Sequence, residues 1–132
     1  LIKANGGGCL VNMGSAASKH GYAFRTPYAS AKFGVIGLTE SLAKELGPDN
    51  IRVNAVLPGI VEGPRMENVI RARAAETGVS HEEMTDEYMK KVSLRRMVSP
   101  DDVASSVGYL LSDFGNNISG QSLAVDGNVE TL

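Results

Sequence analysis

Residues 26–59 read TPYASAKFGVIGLTESLAKELGPDNIRVNAVLPG and predict a long helix followed directly by a buried strand. Thr26 and Pro27 offer an N-cap and a proline at the first helical position. Apolar side chains then recur at helical spacing until Gly47, which ends the helix. Residues 51–57 are rich in β-branched and apolar types and stop at Pro58-Gly59, as expected for a strand that is covered on both faces.

Strands and helices alternate on either side of this stretch. Residues 9–13, CLVNM, form a short apolar run between glycines, which favours a buried strand over a helix. Residues 122–125 predict a last strand. Between the last two strands a helix opens at Ser99-Pro100, with inward-facing positions at Val103, Val107, Leu110 and Leu111. This order is typical of an α/β fold, and we expect a Rossmann-like, doubly wound parallel sheet represented by about three strands with flanking helices.

Composition narrows the classes of function. The 132 residues are enough for one domain, and a net charge of -2 with mixed signs gives no basic surface for nucleic acid or an anionic membrane. No run of uninterrupted apolar residues approaches the length that is needed to span a membrane. A single cysteine, Cys9, excludes an internal disulfide framework and fits a reduced compartment, so we expect a cytoplasmic protein.

The most charged part of the chain is residues 64–96, which hold 13 of the 28 charged residues. The two signs are mixed, which favours an exposed helical segment. Ser80 and Glu83 form a capping-box pattern that opens a helix there. The run His81-Glu82-Glu83-Met84-Thr85 lacks the second histidine of a zinc helix, so we expect no metal site. Met84, Tyr88 and Val92 are predicted to share one helical face.

Three reactive side chains are predicted to meet at one edge of the sheet. Tyr28 and Lys32 lie four residues apart and project from the same face of the long helix. Ser15 follows the first strand at its carboxyl end, where α/β sheets bind ligands, and Pro58-Gly59 marks the same end of the next strand. A free phenol has a pKa of about 10 and is a poor base at neutral pH, whereas a neighbouring ammonium favours the phenolate. A serine hydroxyl could then hold the oxygen whose proton is exchanged.

The surroundings of these residues are more specific than the Tyr-x-x-x-Lys spacing, which is common by chance. The stretches that carry this specificity are NMGSA at 12–16, YASAK at 28–32, IRVNAVLPG at 51–59, SPDDV at 99–103 and ISGQSLAVDG at 118–127. Together they closely resemble the short-chain dehydrogenase/reductase family over roughly residues 9–127. The 3-oxoacyl reductase-like subgroup is the most similar.

The resemblance implies a role for each matching residue. Tyr28 would be the general acid/base, and Lys32 would bind the nicotinamide ribose hydroxyls and favour the phenolate. Ser15 would orient the substrate oxygen. The cofactor would be NAD or NADP, and the residues implied to bind it are Tyr28, Lys32, Pro58, Gly59, Ile60 and Val61.

The chain departs from the family pattern in two places. Many relatives carry a threonine four residues after the Pro-Gly glycine, where this chain has Gly63. The glycine-rich dinucleotide fingerprint is also absent. We therefore expect residues 1–132 to be the C-terminal catalytic part of a single Rossmann-type reductase domain, with residues 62–98 as its substrate lid. We expect this part by itself to bind the cofactor poorly and to be inactive.

Two functions follow from the sequence. The first is an NAD(P)-dependent oxidoreductase that interconverts a secondary alcohol and a ketone, with a small-molecule carbonyl or alcohol substrate. The alternative is a truncated, non-catalytic fragment that acts as an oligomerisation or binding module. The helix from Pro27 to Leu46 has an apolar arc too wide for one sheet to cover, and the resemblance implies a homodimer or homotetramer built on it.

Overall fold

The structure is a computed structural model that describes residues 1–131. Three strands and four helices make up the fold, joined by short 3-10 turns. In chain order they are β1 (Gly8–Met13), α1 (Thr26–Leu46), β2 (Ile51–Pro58), α2 (Pro64–Thr77), α3 (His81–Met89), α4 (Pro100–Leu111) and β3 (Ser122–Val125).

The three strands form one parallel sheet in the order β1-β2-β3. Gly8 pairs with Ile51 at the start of β1, and Pro58 pairs with Val125 at the end of β3. Helices α1 and α4 both pack against the central strand β2. Every residue from Val53 to Leu57 is fully buried, so both faces of β2 are covered. The predicted α/β class and parallel sheet are confirmed.

The start of α1 differs by one residue from the position that the sequence predicts. Arg25, rather than Thr26, is the N-cap residue of α1, and no side chain caps this helix. Pro27 consequently occupies the first turn, one position later than predicted. This shift is tolerated because the first turn of a helix leaves its backbone N–H groups without intrahelical acceptors, so the missing proline N–H costs nothing there.

Capping boxes begin both α3 and α4. The Ser80 N–H donates to a Glu83 carboxylate oxygen at 2.8 Å, and the Glu83 N–H donates to the Ser80 hydroxyl at 3.1 Å. These bonds to Ser80 lower the pKa of Glu83. Ser99 and Asp102 repeat the arrangement at the start of α4. The capping signature predicted at Ser80 is confirmed.

Two positions predicted from helical periodicity are wrong, Val92 in its helical face and Leu111 in its burial. Val92 lies beyond the end of α3 at Met89, so it leaves the face of Met84 and Tyr88 and packs with Ala16 and Val129 instead. Leu111 is 53% exposed although Leu110 is only 2% exposed. Neighbouring helical positions are about 100° apart around the axis, and the core accepts only the first of these two leucines.

Asn54 is a fully buried polar residue in the middle of β2. Its Nδ2 donates to the Ile118 carbonyl at 2.8 Å, and its Oδ1 accepts the Gln121 N–H at 3.0 Å. This side chain therefore joins the loop that leads into β3 to the central strand at two points. Both polar functions are satisfied, as the interior requires.

We expect Asn54→Leu to lower the free energy of unfolding by about 1–3 kcal/mol, because it leaves the Gln121 N–H without its partner and leaves the Ile118 carbonyl with only the longer, 3.4 Å bond from Arg52. Urea denaturation measures this change. Asn117→Leu, at an exposed position in the same connection, is the matched control and should have little effect. Equal stability of the two variants would contradict the proposed role of Asn54.

Within residues 1–131, no helix has both the length and the apolar character needed to span a bilayer.

Candidate active site

Ser15 lies just beyond the carboxyl end of β1, where the chain turns into the short 3-10 segment Ala16–Ser18. Its hydroxyl oxygen accepts the Ala17 N–H at 3.2 Å, and its own N–H donates to the Ser18 hydroxyl at 3.1 Å. Ser18 is fully buried, which anchors the turn. The Ser15 oxygen is thus fixed in place while its proton remains able to donate to a ligand.

The first two turns of α1 carry Tyr28 and Lys32 towards the same edge of the sheet. The Lys32 ammonium donates to the Met13 carbonyl at 3.1 Å, which connects α1 to the last residue of β1. The same ammonium lies 5.8 Å from the centroid of the Tyr28 ring. Tyr28 is 37% exposed, and the Tyr22 ring meets it edge-on at 6.5 Å between centroids. The phenol therefore has both a neighbouring cation and an open side.

A second connection between β1 and α1 comes from two residues to which the sequence analysis assigned no role. The Asn12 side chain donates to the Thr39 hydroxyl at 3.0 Å, and this buried hydroxyl donates to the Val35 carbonyl at 2.7 Å. Two anchor points on one strand fix the rotation of α1, and hence the direction in which Tyr28 and Lys32 project. Asn12 interrupts an otherwise apolar strand, which is the signal that could have identified it.

One cavity of about 380 Å³ brings the predicted site together. All seven residues named from the sequence line it: Ser15, Tyr28, Lys32, Pro58, Gly59, Ile60 and Val61. The cavity is also lined by residues to which the sequence analysis assigned no part in the site, among them Tyr22, Arg25, Arg65, Tyr88 and Lys91. They come from charged or loop segments in which no motif marks individual positions.

Gly59 allows a close backbone contact at the floor of this cavity. A Cβ atom at Gly59 would lie 2.7 Å from the Cα of Asp126, which follows β3. That contact is with backbone, so a side chain at position 59 would separate the carboxyl ends of β2 and β3. The Pro-Gly turn therefore allows the ends of β2 and β3 to pack closely, and it also lines the cavity.

We expect Gly59→Ala to lower the free energy of unfolding by about 1–3 kcal/mol through this overpacking. Gly108→Ala is the matched control, because a Cβ at Gly108 in α4 meets nothing within 4 Å. That substitution should leave stability unchanged or raise it by about 0.5–1 kcal/mol. Thermal and urea unfolding of both variants provide the test, and a neutral Gly59→Ala would contradict the close contact.

The glycine at position 63, where many relatives carry a threonine, has a local structural reason. Gly63 precedes α2 with a φ of 137°, a backbone conformation that residues with a side chain rarely adopt. A threonine there would be strained in this chain. Two residues later, Arg65 in the first turn of α2 reaches the cavity.

The family model described as enoyl-(acyl carrier protein) reductase matches residues 1–129. The diacetyl reductase [(S)-acetoin forming] of Staphylococcus aureus is 36% identical over 127 residues, which are 96% of this chain and 49% of that protein. The chain thus spans about half the length of the curated relatives that it matches.

Solved structures of dehydrogenases and reductases share the fold. A variant of the actinorhodin polyketide ketoreductase, solved with NADPH, superposes with a TM-score of 0.89 at 35% identity, over 99% of this chain and 50% of that one. NAD+-bound xylitol dehydrogenase superposes with a TM-score of 0.86 at 27% identity, over 96% of this chain and 51% of that one.

Proposed function

The chain belongs to the short-chain dehydrogenase/reductase family, and we propose that it carries the catalytic residues of an NAD(P)-dependent oxidoreductase that interconverts a secondary alcohol and a ketone. The observation that carries this proposal is the meeting of Ser15, Tyr28 and Lys32 in one cavity with the backbone of residues 58–61. Three separate elements supply these groups, and all lie at the carboxyl edge of the parallel sheet, where such sheets bind ligands.

The donors on one side of the cavity fit a nicotinamide nucleoside. Within residues 1–131, the backbone N–H groups of Ile60 and Val61 donate no hydrogen bond, which leaves them free for a carboxamide oxygen. Lys32 uses one ammonium proton on the Met13 carbonyl and keeps the others for ribose hydroxyls. When bound, the nicotinamide would supply or accept the hydride. The solved neighbours named above hold NADPH or NAD+, and the donors of this chain suit either.

The proton steps can be assigned to the side chains of this chain. In ketone reduction, the Ser15 hydroxyl donates a hydrogen bond to the carbonyl oxygen and holds it beside the Tyr28 phenol. Tyr28 then delivers its proton to that oxygen as the alcohol forms, and the Lys32 ammonium stabilises the phenolate that remains. In alcohol oxidation Tyr28 takes the proton back. Lys32 stays in place throughout because the Met13 carbonyl holds it.

We assign residues 62–98 to a substrate lid. The Val98 N–H donates to the Ile60 carbonyl at 2.8 Å, and the Glu62 N–H donates to the Val98 carbonyl at 2.9 Å, so both ends of this segment are joined beside the cavity. Helices α2 and α3 pack on each other around Ile70 and Met84. The lid therefore has a small apolar core of its own, which suits a segment that covers substrate.

An assay of nicotinamide absorbance tests the proposed function. The purified protein that carries residues 1–132 is incubated with NADH or NADPH and diacetyl, or with NAD+ or NADP+ and xylitol, the compounds named for two of its relatives. We expect cofactor turnover that depends on the carbonyl or alcohol compound. Absence of such turnover across a panel of ketones and secondary alcohols would contradict the proposal.

A further inference from the structure

The charged side chains that line the cavity of Ser15 and Tyr28 are all cationic. Four cationic side chains line it, those of Arg25, Lys32, Arg65 and Lys91, and within residues 1–131 no carboxylate does. The whole chain carries 15 acidic and 13 basic residues and has a net charge of -2. The charge of the cavity is therefore opposite in sign to the net charge of these 132 residues.

These charges are not neutralised by neighbouring carboxylates. Lys32 is directed to the Met13 carbonyl. The other three come from separate elements: Arg25 precedes α1, Arg65 lies in the first turn of α2, and Lys91 follows α3. Within the described part of the chain none of the three forms a salt bridge. Uncompensated cations in a concave site focus a positive potential there and attract anions.

Arg25 and Lys91 are each positioned against a tyrosine ring that also lines the cavity. The guanidinium carbon of Arg25 lies 5.5 Å from the centroid of Tyr22, and the Lys91 ammonium lies 5.4 Å from that of Tyr88. Tyr22 in turn meets the Tyr28 ring at 6.5 Å. Such contacts hold a cation at the wall of a site. Arg25 is thus connected through one ring to the residue that we assign to proton transfer.

We propose that the substrate carries an anionic group, a carboxylate or a phosphate, in addition to the reacting carbonyl or alcohol, and that Arg25 and Lys91 bind it. The proposal rests on the function proposed above for the identity of the reacting group. A guanidinium presents two parallel N–H donors that match the oxygens of a carboxylate or phosphate, and an ammonium adds a point charge. The two cations come from the segment before α1 and from the lid, so an anion between them would draw the lid towards the catalytic helix.

The test compares matched charged and neutral ketones by isothermal titration calorimetry. Acetoacetate is paired with its methyl ester, and dihydroxyacetone phosphate with dihydroxyacetone, so that the two arms separate carboxylate from phosphate recognition. We expect one charged member to bind at least about tenfold more tightly than its neutral partner, since hydrogen bonds to charged groups are the stronger ones. Arg25→Gln and Lys91→Gln should each reduce that preference about tenfold. Arg73→Gln, which removes an exposed arginine of α2 outside the cavity, should preserve it.

Each titration is repeated with saturating NADPH or NADH. If the charged ketone still binds more tightly than its neutral partner when the cofactor is bound, the result supports a site for substrate anions. If the cofactor abolishes this preference, the cations bind the cofactor phosphates and the proposal is overturned. The proposal is also overturned if charged and neutral ketones bind equally well, or if neither binds. It is overturned as well if Arg25→Gln and Lys91→Gln both leave the preference for the charged ketone unchanged. Because the readout is binding, failure of this inference is distinguishable from failure of the proposed reaction, which would show as absent cofactor turnover.

Discussion

Replacement of Tyr28 by phenylalanine is expected to reduce turnover by about 10²-fold or more, the usual contribution of a general acid/base. Phenylalanine keeps the ring that packs edge-on against Tyr22 and removes only the hydroxyl. We assign no other group to deliver this proton, because the proposed role of Ser15 is to position the substrate oxygen and Lys32 is held by the Met13 carbonyl. The loss should fall on kcat, with cofactor affinity nearly unchanged.

Tyr22→Phe is the matched control for this substitution. Tyr22 lines the same cavity, and its replacement also removes one phenolic hydroxyl. We assign Tyr22 no role in proton transfer. Steady-state kinetics with saturating cofactor should therefore show a large effect at position 28 and a small one at position 22. A Tyr28→Phe variant that retained half of the wild-type rate would remove Tyr28 from the mechanism.

The central unit β1–α1–β2 could be predicted from the sequence because its signals are local and mutually consistent. The run before Gly14 is short and apolar, a proline sits in the first turn of α1, and Pro58-Gly59 ends β2. Parallel pairing then places the carboxyl ends of the strands at one edge. That topology alone brings Ser15 and residues 58–61 together, without any knowledge of individual contacts.

The wrong predictions and the missed cavity residues occur where the surroundings of a residue depend on tertiary contacts. Periodicity extended α3 to Val92, whereas the helix ends at Met89 and Val92 packs with Val129 from the far end of the chain. No motif marks Arg25 or Lys91, and the fold brings both to the cavity of Tyr28, Arg25 from the segment before α1 and Lys91 from the segment after α3. Charge patterning along a segment predicts exposure but does not show which charges will share a site.

Helix α1 retains an exposed apolar face after it has packed on the sheet. Phe33 is 45% exposed and Leu38 is 52% exposed. Gly34 and Gly37 lie between them, and a Cβ at either glycine would meet nothing within 4 Å. Phe33 and Gly37 are four residues apart, as are Gly34 and Leu38, and Gly34 and Gly37 are three apart, so the four positions lie on one broad side of the helix. Glycines on such a face permit close approach of a second helix, and we expect the occupant to be the same face of a second copy in a homodimer or homotetramer.

Leu38→Glu is therefore expected to convert the oligomer to a smaller species. In a two-fold interface each substitution occurs twice, so two carboxylates would be buried opposite apolar surface without partners, and the dissociation constant should rise by at least about 10²-fold. Val79→Glu introduces the same charge at a position that is 40% exposed between α2 and α3, outside this face, and should leave the assembly intact. Sedimentation velocity at micromolar concentration distinguishes the species. A wild-type protein that sediments as a monomer there would contradict the prediction, because the apolar face of α1 would then be stable in water without a partner.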